Sequence, residues 1–116
     1  MPSVLVTGAG RGIGLAITER MSRRGWNVYA TARSDAALNS LDRLPNVHAI
    51  AVDITDRSAI AALPGKLPAE LNGVVNNAGI IVNGPVEGLS LDELTQQLDI
   101  NVISQIAVSQ AVLPKI

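Results

Sequence analysis

The chain has 116 residues, of which 47% are hydrophobic and 16% are charged, and its formal net charge is −1. This composition supports one buried core and excludes a disordered chain, while nine basic against ten acidic residues and only two aromatic side chains argue against a nucleic-acid partner. Cysteine is absent, which excludes disulfides, thiolate catalysis and cysteine-ligated metals.

Neither a leader segment nor a membrane span is indicated at the N-terminus. The apolar run Val4 to Val6 leads directly into glycines, and no apolar run elsewhere approaches the length that a bilayer requires. We therefore expect a single domain over residues 1–116 that is cytoplasmic and has no membrane partner.

Short β-branched runs alternate with helical patterns in the first half of the chain, which is typical of a parallel sheet. The first helix has Ile13, Ala16, Ile17 and Met21 at helical spacing and stops at Gly25. The predicted strands cover residues 3–6, 28–32 and 47–52, and the predicted helices cover residues 13–24, 35–41 and 56–63.

The second half opens with a turn-rich stretch at residues 63–68 and a fourth apolar strand at residues 73–75, which runs into a polar loop at residues 76–79. Ser90 to Glu93 has the form of a capping box and predicts a helix to about Leu98. A second helix is predicted after Asn101. Its helical repeat contains Ile103, Ile106, Ala107, Gln110 and Leu113.

The stretch "TGAGRGIG" at residues 7–14 follows a strand and opens a helix. Free backbone N–H groups and the positive end of a helix dipole meet there, so an anion site is favoured over a tight turn without a ligand. Ile13 excludes both the G-x-G-x-x-G fingerprint and a G-x-x-x-x-G-K phosphate loop. The pattern that fits is T-G-x-x-x-G-x-G, formed by Thr7, Gly8, Gly12 and Gly14.

With this motif, Asp53-Ile54 after the third strand, "NNAG" at residues 76–79 and "NV" at residues 101–102, the sequence resembles the N-terminal half of a short-chain dehydrogenase/reductase. The resemblance implies a doubly wound, Rossmann-like parallel sheet in a three-layer α/β/α arrangement, with strand order 3-2-1-4, truncated after the helix that follows strand four. A dinucleotide would lie over the crevice between strands one and four.

Two arginines indicate which dinucleotide is expected. Ala32 stands where an acidic residue would hold the ribose 2′-hydroxyl of NAD, and Arg33 follows it with a guanidinium suited to a phosphate. Arg11 is expected across the same pocket. The resemblance therefore implies NADP(H), with NAD left possible because Asp35 is close, and two solvated surface arginines are the alternative.

The resemblance also assigns roles to other residues. Asp53 would accept a hydrogen bond from the adenine amino group or, alternatively, cap the next helix. The backbone of residues 77–79 would run beside the cofactor ribose, and bonding of the strand end by Asn76 and Asn77 is the alternative. The lone His48 has no partner at a metal-binding spacing, and no metal site is expected. The expected cofactor-binding residues are Gly8, Gly10, Arg11, Gly12, Ile13, Gly14, Arg33, Ser34, Asp53, Ile54, Asn77, Ala78 and Gly79.

Catalysis in this family uses a serine, a tyrosine and a lysine four residues after it, with an asparagine that supports the lysine through water. Asn101 matches that asparagine, although it could instead cap a helix. Tyr29 is followed at that interval by Arg33, so the general acid is not encoded in these residues. The resemblance implies that the strand carrying the serine and the helix carrying the tyrosine and lysine follow Ile116.

Two readings of the function involve a nucleotide. In the first, the chain is the cofactor-binding half of an NADP(H)-dependent oxidoreductase acting on a carbonyl or alcohol substrate. In the second, it is a non-catalytic dinucleotide-binding module or an engineered fragment. A structural protein is a weaker third possibility. An open sheet edge and the helix after Asn101 are expected to favour a homo-oligomer.

Overall fold

A computed structural model describes all residues, 1–116. Four parallel strands form one sheet in the order β3-β2-β1-β4, so the predicted parallel sheet and its strand order are confirmed. The strands are β1 (Ser3–Val6), β2 (Asn27–Ala32), β3 (Val47–Ala51) and β4 (Gly73–Val75).

The direction of winding reverses at the central strand β1. Leu5 of β1 is paired with Tyr29 of β2 on one side and with Val74 of β4 on the other. The chain moves outward from β1 to β3 and then crosses back to place β4 on the opposite side of β1. The crevice that ligands use in such sheets therefore opens above the carboxyl ends of β1 and β4.

The helices begin where the sequence places capping residues. Ser34, Asp56 and Ser90 accept hydrogen bonds from first-turn amides of the second, third and fourth helix, respectively. None of the helices is long and apolar enough to cross a membrane. The helices are α1 (Gly12–Arg23), α2 (Asp35–Asp42), α3 (Arg57–Ala62), α4 (Leu91–Leu98) and α5 (Ser104–Val112).

Apolar packing on both faces of the sheet gives the three predicted layers. One cluster joins Val4, Val28 and Ala30 to helices α1 and α2. The other joins Leu5 to α3 and α5 through Ile60 and Val108. Alternate residues of β1 thus point to opposite cores, as a strand buried on both faces requires.

The predicted apolar faces of two helices are only partly confirmed, since Ile17 and Met21 of α1 and Ala107 of α5 pack against the two cores. Helix α1 buries Gly14, Thr18 and Ser22 against the sheet, whereas Ile13 is 72% exposed. Helix α5 buries Ser104, Val108 and Val112. Three members of its predicted apolar repeat, Ile103, Ile106 and Leu113, are each more than half exposed. In α1 the fully buried residues are small, which allows a close approach to the sheet, whereas α5 buries two valines together with Ser104.

The prediction of two separate helices around Asn101 is wrong. Helix α4 continues into a π-helical stretch, Asp99–Ile103, which leads without a break into α5. Asn101 lies in the middle of this stretch and caps no helix. Such π-helical insertions in α-helices are frequent at functional sites.

Candidate dinucleotide site

A groove of about 920 Å³ lies above the carboxyl ends of the strands, and most of the predicted site residues line it. Gly14 is buried and does not line the groove, and Asn101 lines an adjoining cleft of about 860 Å³. The predicted residues that line the groove are Gly8, Gly10, Arg11, Gly12, Ile13, Arg33, Ser34, Asp53, Ile54, Asn77, Ala78 and Gly79.

The glycine turn after β1 leaves no space for side chains. Gly8 has a φ of +63°, and a Cβ there would lie 2.8 Å from the Cα of Ala78. A Cβ on Gly14 would lie 2.1 Å from the carbonyl oxygen of Gly8. The turn is therefore compressed between the start of α1 and the loop that follows β4.

The start of α1 has the properties of an anion site. Its N-terminal residue Arg11 is extended, and no side chain caps the amide groups of the first turn. Those N–H groups and the helix dipole are directed at the groove, because Gly12 and Ile13 line it. A phosphate would satisfy donors that the protein leaves without a side-chain partner.

Thr7 and Asn77 join the glycine turn to the loop after β4. The hydroxyl of Thr7 accepts hydrogen bonds from the backbone amides of Asn77 at 3.0 Å and Ala78 at 3.1 Å. The Asn77 side chain donates to the carbonyl oxygens of Thr7 at 3.3 Å and Gly8 at 3.0 Å. Asn77 therefore bonds the end of β1 through its side chain and also lines the groove.

We predict that Thr7→Val destabilises the protein by about 2 kcal/mol, because two amides at the groove lose their acceptor. Thr7 is 1% exposed, so water cannot easily replace the hydroxyl. Thr7→Ser keeps the oxygen and is the matched control, with an expected loss of less than about 1 kcal/mol. Urea unfolding of the two variants measures the difference, and equal midpoints would contradict the role of the hydroxyl.

The groove also carries the two arginines, and Arg11 lines the adjoining cleft as well. Arg11 and Arg33 are both exposed, and neither takes part in an ion pair, since the single ion pair of the structure joins Arg57 to Asp99. Ser34 lies beside Arg33 and uses its oxygen to accept a hydrogen bond from the amide of Ala37. Its hydroxyl proton remains free to be donated into the groove.

Asp53 does not cap the next helix, so that alternative is wrong. The N-cap of α3 is Asp56, and Asp53 instead accepts hydrogen bonds from the amide and the hydroxyl of Thr55, at 3.0 and 2.7 Å. These two bonds, assisted by the positive charge of Arg33, lower the pKa of the Asp53 carboxyl. Asp53 is thus an ionised acceptor at neutral pH with one carboxylate oxygen uncommitted.

Asn101 uses its whole side chain to hold the loop after β4. Its Oδ1 accepts a hydrogen bond from the amide of Ile80 at 2.9 Å, and its Nδ2 donates to the carbonyl oxygen of the same residue at 2.7 Å. Gly79 lies against this pair, since a Cβ there would be 3.0 Å from Oδ1. The side-chain amide is therefore fixed in place at the edge of the cleft.

Gln105 was not identified from the sequence, although it lines the same cleft. Its Nε2 donates hydrogen bonds to the carbonyl oxygens of Ala78 at 2.5 Å and Ile100 at 3.1 Å. The only sequence signal was its position four residues after Asn101, which places both side chains on the same side of a helix.

Comparisons with known proteins agree with this geometry. The sequence model of the short chain dehydrogenase family matches residues 2–116. A 3-amino-tetrahydro-pyrrolizinone reductase of Xenorhabdus hominickii is 38% identical, with 97% of this chain and 40% of that protein covered. The NADP-dependent 3-hydroxy acid dehydrogenase YdfG of Escherichia coli K12 is 36% identical, with 96% and 47% covered.

A solved structure shows the same arrangement. The NADPH-bound carbonyl reductase from chicken fatty liver superposes with a TM-score of 0.86 at 31% identity, covering 99% of this chain and 51% of that one. The chain spans less than half the length of the two curated relatives. With the glycine turn, the "NNAG" loop and Asn101 gathered at one sheet edge, the chain belongs to the short-chain dehydrogenase family.

Proposed function

We propose that this chain is the cofactor-binding part of an NADP(H)-dependent oxidoreductase that acts on a carbonyl or alcohol substrate. One observation carries the proposal. A single groove has uncapped helix amides at the start of α1 and two unpaired guanidinium groups, Arg11 and Arg33, along its wall. The helix end suits a pyrophosphate, and the arginines suit one further phosphate.

The residues around Arg33 support NADP(H) over NAD(H). Ala32 presents no carboxylate to a ribose 2′-hydroxyl, and it is only 7% exposed. A Cβ on Gly10 would lie 3.0 Å from the Cβ of Ala37 and 3.4 Å from that of Ala32, so the glycine turn packs directly against the end of β2 and the start of α2. One relative is NADP-dependent by name, and the chicken reductase holds NADPH. Asp35, in the first turn of α2, is the feature that favours NAD.

The remaining site residues fit a bound dinucleotide. The free oxygen of Asp53 is available to adenine, Ile54 offers an apolar wall, and the Asn77–Gly79 segment would lie along the ribose. The dinucleotide supplies hydride transfer when bound. Asn101 would support a catalytic lysine, as in the family, while its side chain holds Ile80.

We do not propose that residues 1–116 alone catalyse the reaction. Tyr29 is in β2 with its ring stacked on His48, 4.7 Å between centroids, and it does not line the groove. No tyrosine is followed by a lysine four residues later. We therefore expect this chain to bind the dinucleotide without reducing a carbonyl substrate, because it has no general acid in reach.

Calorimetric titration with NADPH and NADH tests the binding. Trp26 is a poor reporter because it lies at the amino end of β2, opposite the groove, so heat or the emission of the reduced nicotinamide is measured instead. Saturable binding of NADPH is expected, with weaker binding of NADH. Binding of neither would overturn the proposal, and turnover of a carbonyl panel would overturn the expected absence of activity.

We also propose that the chain self-associates. Strand β4 is paired on one side only, and apolar side chains are exposed on the α4–α5 helix. Light scattering should show a mass that rises with concentration, and a constant monomer mass up to high concentration would contradict this. Exposed apolar residues of that helix are Leu91, Leu98, Val102, Ile103 and Ile106.

A further inference from the structure

The segment of residues 76–82 runs alongside the α4–α5 helix and is tied to it at every second residue. Four helical side chains, here called the polar ladder, make these contacts: Gln97, Asn101, Gln105 and Ser109. Gln97 accepts from the amide of Val82 at 2.5 Å, Asn101 pairs with both backbone groups of Ile80, Gln105 donates to Ala78, and Ser109 accepts from the side chain of Asn76 at 3.1 Å.

The spacing of the polar ladder explains why it forms. The helical positions are four apart and the segment positions are two apart, in the opposite direction. Four helical residues advance about 6.0 Å, and two extended residues advance about 6.6 Å, so the two repeats stay nearly in register. Gln97, Asn101 and Gln105 thereby bond backbone groups that a neighbouring strand would otherwise bond.

Gln105 occupies the step of the polar ladder nearest to the glycine turn. The side-chain Nε2 of Gln105 donates to the carbonyl oxygen of Ala78, and the backbone amide of Ala78 donates to the hydroxyl of Thr7. The Cα of Ala78 lies against Gly8, where even a methyl group would not fit. The two opposed hydrogen bonds fix how far Ala78 stands above the turn, and so fix the width of the groove there.

We propose that Gln105 is a positioning residue for the dinucleotide, acting through Ala78. This inference rests on the proposed function, since it concerns the affinity of that same groove. Gln105 is half-buried and Gln110 is exposed on the same helix without a hydrogen bond, which makes Gln110 a matched control.

The first experiment compares Gln105→Met with Gln110→Met in the full chain by calorimetric titration with NADPH. Methionine has similar length and no donor, so we expect Gln105→Met to weaken binding about fivefold, as loss of one hydrogen bond would. Gln110→Met should bind within about twofold of the unchanged chain. Binding by the unchanged chain with equal affinities of the two variants would overturn this inference alone, whereas no binding by the unchanged chain would overturn the proposed function as well.

A second variant separates hydrogen bonding from a merely structural effect. In Gln105→Glu the carboxylate would face the carbonyl oxygen of Ala78 and could not donate, but protonation would restore a donor. The facing carbonyl raises the pKa of such a carboxyl above its usual value of about 4.3. The affinity for NADP⁺ relative to the unchanged chain should therefore recover as the pH falls from 8 to 5. A pH-independent ratio would count against the positioning role.

Amide hydrogen exchange tests the polar ladder without any cofactor or variant. Ile80 and Val82 donate their amides to ladder side chains, whereas the amides of Gly79 and Ile81 make no hydrogen bond. Exchange should therefore be slow at residues 80 and 82 and fast at residues 79 and 81. Equal rates at all four would contradict the polar ladder, on which the role of Gln105 depends, even if the Gln105 variants did not fold.

Discussion

Gly14→Ala is expected to lower the free energy of unfolding by about 3 kcal/mol, one of the largest effects of any single methyl group in this chain. The added Cβ would lie 2.1 Å from the carbonyl oxygen of Gly8 and 2.5 Å from the Nδ2 of Asn77. Neither neighbour can withdraw, because Asn77 Nδ2 is itself bonded to the carbonyls of Thr7 and Gly8. The gain in helix propensity of about 1 kcal/mol from alanine offsets only part of this cost.

Gly65→Ala is the matched control for that substitution. A Cβ on Gly65 meets nothing within 4 Å, and its backbone is not left-handed. We expect a change of less than about 0.5 kcal/mol there. Urea unfolding of the two variants, followed by circular dichroism, gives the comparison. Equal stabilities would mean that α1 does not approach the glycine turn as closely as the structure shows.

Much of the fold could be predicted because its signals are local. The bounds of β1 and β4 were predicted as they are observed, and Ser90 caps its helix through the amide of Glu93, as the motif indicates. Alternation of β-branched strands with capped helices is enough to give a parallel sheet. The strand order was carried by the family resemblance, since no local pattern distinguishes the two sides of β1.

The inward face of α1 and the burial of Ser104 in α5 could not be predicted because the buried residues there are small and mostly polar. Thr18 donates its hydroxyl to the carbonyl of Gly14 at 2.8 Å, and Ser22 donates to the carbonyl of Pro45. Ser104 is fully buried with its hydroxyl between Arg57 and the carbonyl of Ile54. Hydrophobic periodicity cannot detect a face whose polar groups are satisfied by bonds formed only in the folded protein.

Part of the candidate site could be predicted from the sequence and part could not. Its glycines, arginines and Asp53 could be identified because each follows a strand at the same sheet edge. The polar ladder could not, because three of its four side chains bond backbone groups of a segment without regular structure, and all four contacts span 15 to 33 residues in sequence. The π-helical stretch at Asn101 has no local signal either, and the helix pattern alone predicted a break there.

Arg33→Asp is expected to shift the cofactor preference from NADPH toward NADH by about 1 to 3 kcal/mol, or roughly 5- to 150-fold. The guanidinium of Arg33 is exposed, has no ion-pair partner and lines the groove, so a 2′-phosphate would gain its full charge-assisted contact. Aspartate would instead repel the phosphate and offer an acceptor to the 2′-hydroxyl of NADH. Calorimetric dissociation constants for both coenzymes give the ratio.

Arg43→Asp makes the same change of charge at the other end of α2, outside the groove. A general electrostatic effect of the net charge would move the NADPH to NADH ratio equally in both variants, because both coenzymes approach the same protein and differ by one phosphate. A contact at the groove would move it only in Arg33→Asp. Salt separates the two further, since long-range attraction is screened within about 10 Å at 0.1 M and a direct contact is screened less. An unchanged ratio in Arg33→Asp, or an equal shift in Arg43→Asp, would remove Arg33 from the phosphate site and leave Arg11 as the remaining candidate.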